Sequence, residues 1–271
     1  MLRRRSILFA TLALSAGMAL VTGGTMGTAH ASTPAGVTPS AINPGGLVQH
    51  LVKPESQVAG AITDEESTNW SGYADTAGTY TSASASWTQP AGTCSRGDQY
   101  AAFWVGIDGF NSSTVEQTGS EVDCVGKTAE YYAWYEMYPG PSENYSNTVR
   151  AGDHFTATVT WLGGDEFSLY IDDSTEGWSH TTDASLTSTP ARSSAEVIAE
   201  APCCTASGGI LNLTNFGTVS FTGNTANGEA IGTASLDPVE INMIDSSGNL
   251  RDTCSALTGN ENFSCTWIRD N

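Results

Sequence analysis

The sequence has few positive charges. Its 271 residues include 10 lysines and arginines against 29 aspartates and glutamates, and four of each group precede Ser67, so six basic and 25 acidic residues remain from Ser67 onward. So acidic a surface repels nucleic acid and anionic lipid, and we expect neither as a partner. Because carboxylates lose their charge in acid, self-repulsion weakens as the pH falls. The composition therefore predicts tolerance of acidic surroundings.

Several motifs of catalysis and cofactor binding are missing. The sequence has no HExxH, no GxSxG, no phosphate-binding loop and no GxGxxG. Beyond the N-terminal leader it offers only three histidines, His50, His154 and His180, and the cysteine spacing makes no zinc pattern. A serine-histidine-aspartate triad has no local signature here. We expect no metal and no cofactor, which leaves carboxylate chemistry.

Long apolar runs are absent except near the N-terminus. There, Arg3 to Arg5 precede an apolar run from Ile7 to Val21 and a small-residue ending at Ala29 to Ala31. This pattern predicts a secretory signal peptide over residues 1–31, cleaved near Ala31. The arginines loosely resemble a twin-arginine signal, although the general export pathway uses similar ones. The mature protein is expected to be soluble and extracellular.

The remaining chain divides by composition. Residues 32–66 are rich in proline and glycine with few large apolar residues, which predicts a propeptide or linker. From Ser67 the chain is rich in Thr, Ser, Gly, Trp, Tyr and Val with frequent turn residues, so residues 67–271 are expected to form one domain. We expect this domain to be a monomer.

Six cysteines favour disulfides in an exported chain, and six allow 15 pairings. The preferred set joins Cys254 to Cys265 across a C-terminal hairpin and Cys94 to Cys124. It leaves the adjacent Cys203 and Cys204 as the third pair.

Short segments of alternating polarity recur between turn residues, and no amphipathic helix of twelve residues is convincing. This pattern predicts an antiparallel sandwich or barrel. The predicted strands are 79–88, 101–107, 131–138, 154–161, 167–172, 195–201, 217–222, 239–244 and 263–268.

The most aromatic stretch, EYYAWYEMYP, contains Glu136. On a strand, Glu136 shares one face with Tyr132, Trp134 and Tyr138, whereas Ala133, Tyr135 and Met137 point to the other. Glu136 is then either a solvated edge residue or part of a cleft. The same alternation places Glu196, Ile198 and Glu200 on one face.

Two kinds of carboxylate chemistry fit a β scaffold. A retaining glycosidase would place two carboxylates about 5 Å apart across an aromatic cleft, and Glu136 with Glu200 could form that pair. A jelly-roll carbohydrate-binding protein would use the rings without catalysis. Alternatively, one carboxylate activates water against a peptide bond while an amide donor stabilises the oxyanion.

Six ordered motifs give the sequence a resemblance to a known family. They are NWSGY (69–73), SASWTQP (84–90), FWVGIDG (103–109), EQTGSE (116–121), YAWYEMYP (132–139) and SAEVIAEAP (194–202). In order and spacing they resemble the glutamic peptidases, or eqolisins, from Asn69 to about Ile244. The resemblance implies an all-β sandwich of two antiparallel sheets, jelly-roll or concanavalin-like, with a concave substrate face. It implies an acid-active endopeptidase acting on proteins or peptides.

The resemblance also implies the site residues. The catalytic pair corresponds to Gln117 and Glu200, with Glu196 as a competing candidate for the glutamate. Glu200 would take a proton from the attacking water and pass it to the leaving amine, while Gln117 stabilises the tetrahedral intermediate. The supporting or substrate-binding residues would be Trp70, Trp104, Asp108, Trp134 and Glu136. The sequence departs from the family pattern at Val197, where tryptophan is usual, and alternation predicts that this side chain faces away from Glu200.

Overall fold

The structure, a computed structural model, describes residues 62–95, 97–203 and 209–271. The predicted signal peptide and residues 32–61 of the predicted propeptide lie outside the described residues. Within the described ranges the regular structure is almost entirely strand, with one 3₁₀ turn at Ala234–Leu236. No helix in these ranges is long and apolar enough to span a membrane.

The described residues form sixteen strands, and all nine predicted segments are among them, so the all-β prediction is confirmed. The strands are β1 Thr63–Ser67, β2 Trp70–Asp75, β3 Ser82–Thr88, β4 Gln99–Ile107, β5 Val115–Val125, β6 Thr128–Tyr138, β7 Glu143–Asn144, β8 His154–Gly163, β9 Glu166–Asp173, β10 Trp178–Ser185, β11 Ala195–Glu200, β12 Thr218–Ala226, β13 Glu229–Ala230, β14 Pro238–Ile244, β15 Leu250–Cys254 and β16 Phe263–Trp267.

The strands form two layers. The front sheet runs β7, β6, β5, β4, β11, β2, β14, with β1 pairing in parallel with β14, and the back sheet runs β10, β9, β8, β3, β12, with β13 on β12. Strands β15 and β16 connect β14 to β12 and join the layers at one end. Apart from that of β1, every pairing between two of these strands is antiparallel, as short turn-linked strands predict.

The main core fills the space between the sheets. Alternation builds it: on β8, Phe155, Ala157 and Val159 are buried against the front sheet, while Thr156 and His154 are exposed. From the front sheet, Val197 and Ala133 point into the same core. The prediction that Val197 faces away from Glu200 is therefore confirmed.

A second apolar cluster covers the other face of the front sheet. Its largest members are tryptophans from three different strands, Trp70, Trp104 and Trp134, and they are joined by Tyr132 and Ile198. The predicted alternation of β6 is thereby confirmed, because Tyr132 and Trp134 pack here while Tyr135 and Met137 pack on the main core. We call this surface the tryptophan face.

Two predicted disulfides are present. Cys94 is bonded to Cys124 and ties the segment before β4 to the end of β5, with Cα atoms 5.3 Å apart. Cys254 is bonded to Cys265 and crosslinks β15 to β16. The third predicted pair includes Cys204, which lies outside the described residues, so that pairing stays a prediction.

Candidate active site

The predicted site residues Gln117, Glu136 and Glu200 come from three different strands and lie on the tryptophan face of the front sheet. Gln117 on β5 is directly opposite Glu136 on β6 and Gly106 on β4. Glu200 on β11 is opposite Ala102 on β4. Directly paired residues share a face of the sheet, so the register brings the predicted catalytic pair to one surface. All three side chains are buried.

The side chains of Gln117 and Glu136 are hydrogen-bonded to each other. The Gln117 Nε2 group donates to Oε2 of Glu136 over 2.7 Å. An amide nitrogen carries two hydrogens, so this bond fixes the orientation of the amide and engages only one of its two N–H donors. Glu136 is fully buried, which argues against the solvated edge residue and leaves the cleft residue as the prediction.

Glu200 receives hydrogen bonds from strand β4 and from the turn before β2. The indole Nε1 of Trp104 donates to Oε2 over 2.8 Å, and Nδ2 of Asn69 donates to Oε1 over 3.4 Å. Asn69 is itself oriented by Ser67, whose hydroxyl donates to Oδ1 over 3.0 Å. Donors of this kind stabilise the ionised form of a buried carboxyl group. The sequence reasoning missed Asn69 and Ser67, although Asn69 begins the NWSGY motif.

Trp104 lies between the Gln117 and Glu200 positions, and two glycines make room for it. A Cβ atom on Gly106 would lie 2.9 Å from Cζ3 of Trp104 and 3.2 Å from Cβ of Gln117. One on Gly119 would lie 2.6 Å from Cβ of Trp104. The missing side chains let the indole contact the Gln117 side of the site while its N–H reaches Glu200.

The two other predicted tryptophans complete the face. Trp70, on β2, lies opposite Glu200 of β11. Its ring packs edge-to-face on Trp104, with ring centroids 4.8 Å apart. Trp134, on β6, lies opposite Gly119 of β5 and is fully buried. Rigid rings on both sides restrict the positions that the Trp104 indole can take.

Asp108 anchors the loop before β11 through hydrogen bonds. It follows β4 with a positive φ of 69°, and its carboxylate accepts hydrogen bonds from the backbone N–H groups of Arg192 and Ser193 over 2.6 and 2.9 Å. The Ser193 hydroxyl adds a third bond over 3.1 Å. This loop leads into β11, so Asp108 fixes the start of the strand that carries Glu200.

Replacing Asp108 by alanine is expected to lower the free energy of unfolding by about 1–3 kcal/mol, because two backbone donors lose their acceptor. Thermal unfolding in acid measures this loss. The matched control is Asp183→Ala, since Asp183 is exposed on β10. Equal melting temperatures for the two variants would contradict the anchoring role.

Glu196 also reaches the tryptophan face, opposite Gly106. It is fully buried, and burial raises the pKa of its carboxyl group well above the usual value, with smaller contributions from Asp108, Glu116 and Asp75. A glutamate that keeps its proton in acid cannot accept one from water. The environment of Glu196 therefore argues against Glu196 as a base in acid.

Comparison with known proteins agrees with this geometry. Residues 68–267 match the model of the peptidase A4 family. Aspergillopepsin-2 of Aspergillus niger is 28% identical over 210 residues, which cover 69% of this chain and 72% of that protein.

Solved structures show the same fold. Scytalido-glutamic peptidase with a transition state analog inhibitor superposes with a TM-score of 0.65 and 26% identity, covering 74% of this chain and 98% of that one. Aspergilloglutamic peptidase of Aspergillus niger gives a TM-score of 0.54 and 25% identity, covering 63% and 99%. The family match extends over most of the chain, from the turn before β2 to the end of β16. The chain therefore belongs to the peptidase A4 family and is a glutamic endopeptidase.

Proposed function

We propose that the protein is a secreted acid endopeptidase in which Glu200 activates the attacking water and Gln117 stabilises the tetrahedral intermediate. The observation that carries this assignment is the pair of oriented groups on either side of Trp104. Glu200 accepts the Trp104 N–H, and Gln117 donates to Glu136. A preorganised base and a preorganised donor on one buried face are what direct water attack requires.

The roles follow from the donors and acceptors. The Glu200 carboxylate takes a proton from water as the water oxygen bonds to the scissile carbonyl carbon. It then returns that proton to the leaving nitrogen as the C–N bond breaks. The Gln117 N–H that does not face Glu136 donates to the carbonyl oxygen as negative charge develops. An amide keeps this donor at every pH, which suits an enzyme that works in acid.

The glycosidase alternative is less well supported. It requires Glu136 to act as the second catalytic carboxyl group beside Glu200. Instead, Oε2 of Glu136 accepts the Gln117 amide, which suits a positioning residue. The sugar-binding alternative needs only the tryptophans, so it does not explain the hydrogen bonds made by Gln117 and Glu200.

Secretion and activation belong to the same proposal. Two disulfides fit an oxidising compartment, as the predicted signal peptide requires. We expect residues 32–66 to be removed as a propeptide, and the active enzyme to be a monomer acting on protein or peptide substrates. Strand β1 includes residues 63–66 of this segment and leads through Ser67 to Asn69, which contacts Glu200. Sequencing from the N-terminus of the active enzyme would refute removal if the chain began near Ser32.

The test of the proposal is digestion of haemoglobin by the purified protein between about pH 2 and about pH 7. We expect cleavage in the acidic part of this range and no inhibition by pepstatin-type compounds, which are directed at paired aspartates. An added amino acid amide should yield no transfer product, because direct water attack forms no acyl-enzyme. Release of reducing sugar from a glycan, without cleavage of any protein, would overturn the proposal.

A further inference from the structure

Three side chains form a second polar cluster on the tryptophan face. Glu121 and Asp123 on β5 lie two residues apart and point to the same side, and Tyr132 on β6 is directly opposite Glu121. The Tyr132 hydroxyl donates to Oδ2 of Asp123 over 2.9 Å. The negative charge of Asp123 raises the pKa of the neighbouring Glu121 carboxyl group. We call Glu121, Asp123 and Tyr132 the acid cluster.

The acid cluster adjoins Glu200. Glu121 is opposite Ala102 on β4, and Ala102 is opposite Glu200 on β11. Glu121 and Glu200 therefore flank one small residue on the same face, about 10 Å apart at the backbone. No large side chain from β4 separates them. The Glu200 charge acts on Glu121 and makes its ionisation harder.

The pair holds protons because of burial. Glu121 and Asp123 are almost completely buried, and two neighbouring buried carboxyl groups oppose each other's ionisation. Burial is the largest cause that raises the pKa of Glu121 well above its usual value and that of Asp123 to about 7. The hydroxyl of Tyr132 acts the other way on Asp123, since it stabilises the carboxylate.

Every named charged neighbour is also acidic, so no cation in this group stabilises an ionised pair. The titratable groups that act on the pair are Tyr132 and Glu130 on β6, Tyr100 on β4, Asp98 just before β4, and Glu200 on β11.

We propose that Glu121 and Asp123 act as a proton-holding pair that keeps this end of the site uncharged in acid and sets the upper pH limit of catalysis by Glu200. The inference rests on the proposed function of Glu200. As the pH rises, the pair releases one proton to solvent and keeps a shared negative charge. That charge opposes the oxyanion that develops on the same face of the sheet. The pair does not touch the reacting atoms, so both are positioning residues.

The decisive variant is the double substitution Glu121→Gln with Asp123→Asn, which keeps shape and hydrogen bonds but cannot ionise. The alkaline limb of the pH profile of kcat/KM should move upward by about one pH unit, and the acid limb should stay in place. The matched control is Asp75→Asn. Asp75 is another buried acid with a raised pKa, but it lies opposite Ala195, on the main-core face. This control should leave the profile unchanged.

A second variant, Tyr132→Phe, tests the same proposal if the double variant does not fold. Tyr132→Phe removes the hydroxyl that stabilises the Asp123 carboxylate, so the alkaline limb should move upward by a smaller amount. Infrared difference spectra of the wild type across neutral pH should show loss of a protonated carboxyl band that the double variant lacks. This signal does not depend on activity.

The outcomes separate the two proposals. A wild type that cleaves in acid, with an alkaline limb unmoved in the double variant or in Tyr132→Phe, refutes the acid cluster and leaves the proposed function intact. A wild type that cleaves no protein refutes the proposed function. In that case, absence of the infrared signal also refutes the proton-holding pair, and its presence supports the pair as a buried acid without a catalytic role.

Discussion

Glu200→Gln is expected to lower kcat by about 100-fold to 10,000-fold, because the amide keeps the shape of the side chain but cannot accept a proton from water. Gln117→Ala should lower kcat by on the order of 100-fold to 1000-fold through loss of an oxyanion donor. In the Glu200→Gln variant, the amide oxygen can still accept one of the two hydrogen bonds from Trp104 and Asn69, so the fold is expected to persist. KM should change little in either variant, since both groups act mainly on the transition state.

Digestion of a peptide substrate in acid measures both effects, with Glu166→Gln as the control. Glu166 is exposed on β9 of the back sheet, so its loss should leave kcat unchanged. Each variant should first show a cooperative thermal transition at the assay pH. A Glu200→Gln enzyme with more than a tenth of the wild-type kcat would remove Glu200 from the catalytic role.

The second large effect is loss of stability as the pH rises. Burial raises the pKa of Asp75 and Glu116 to about 9 and that of Asp252 to about 7. In the unfolded chain these groups have pKa values near 4. The folded protein therefore binds more protons than the unfolded chain at any pH between these values. By linkage, the stability from these groups is complete below about pH 4 and falls as the pH rises toward about 9.

The expected slope is steep. Each proton held only by the folded state changes the free energy of unfolding by about 1.4 kcal/mol per pH unit. Two such protons would remove several kcal/mol between about pH 5 and about pH 8, a large part of the roughly 5–15 kcal/mol that stabilises a typical domain. The high net negative charge acts in the same direction at neutral pH.

Thermal unfolding at a series of pH values checks this expectation. The melting temperature should be highest in acid and fall continuously through neutral pH. Asp75→Asn should flatten the slope, because one proton-linked group is lost, whereas Asp183→Asn on the exposed surface should not. A stability maximum above about pH 8 would contradict the buried-acid account.

Alternation allowed much of the fold to be predicted from the sequence. Strands with one face on the core, such as β8 and β9, alternate clearly between buried and exposed residues. Strand β5 was missed because ten of its eleven residues are buried, and polar residues occupy both of its faces, with Glu121 on the tryptophan face and Ser120 on the other. Strand β2 is buried throughout and gives no alternation either. A strand that is covered on both faces need not alternate in polarity, so its sequence can lack the period of two.

The candidate site could be predicted only in part, for a different reason. The motifs single out Gln117 and Glu200 as candidates, but the cross-strand register that relates them to Gly106 and Ala102 exists only in the folded sheet. The bond from Asn69 to Glu200 joins residues 131 positions apart, and nothing local in the sequence predicts it. The same holds for Asp108, which resembles a turn residue before glycine but holds the loop at Arg192 and Ser193.

The most direct test of the central claim compares kcat/KM for Gln117→Ala, Glu200→Gln and the double variant in acid. If the two residues act in one step as a unit, the double variant should be no worse than about the more damaged single variant, because each loss already disables that step. Losses that multiply would show that the residues act independently. Near wild-type activity in the double variant would place the catalytic site elsewhere in the protein.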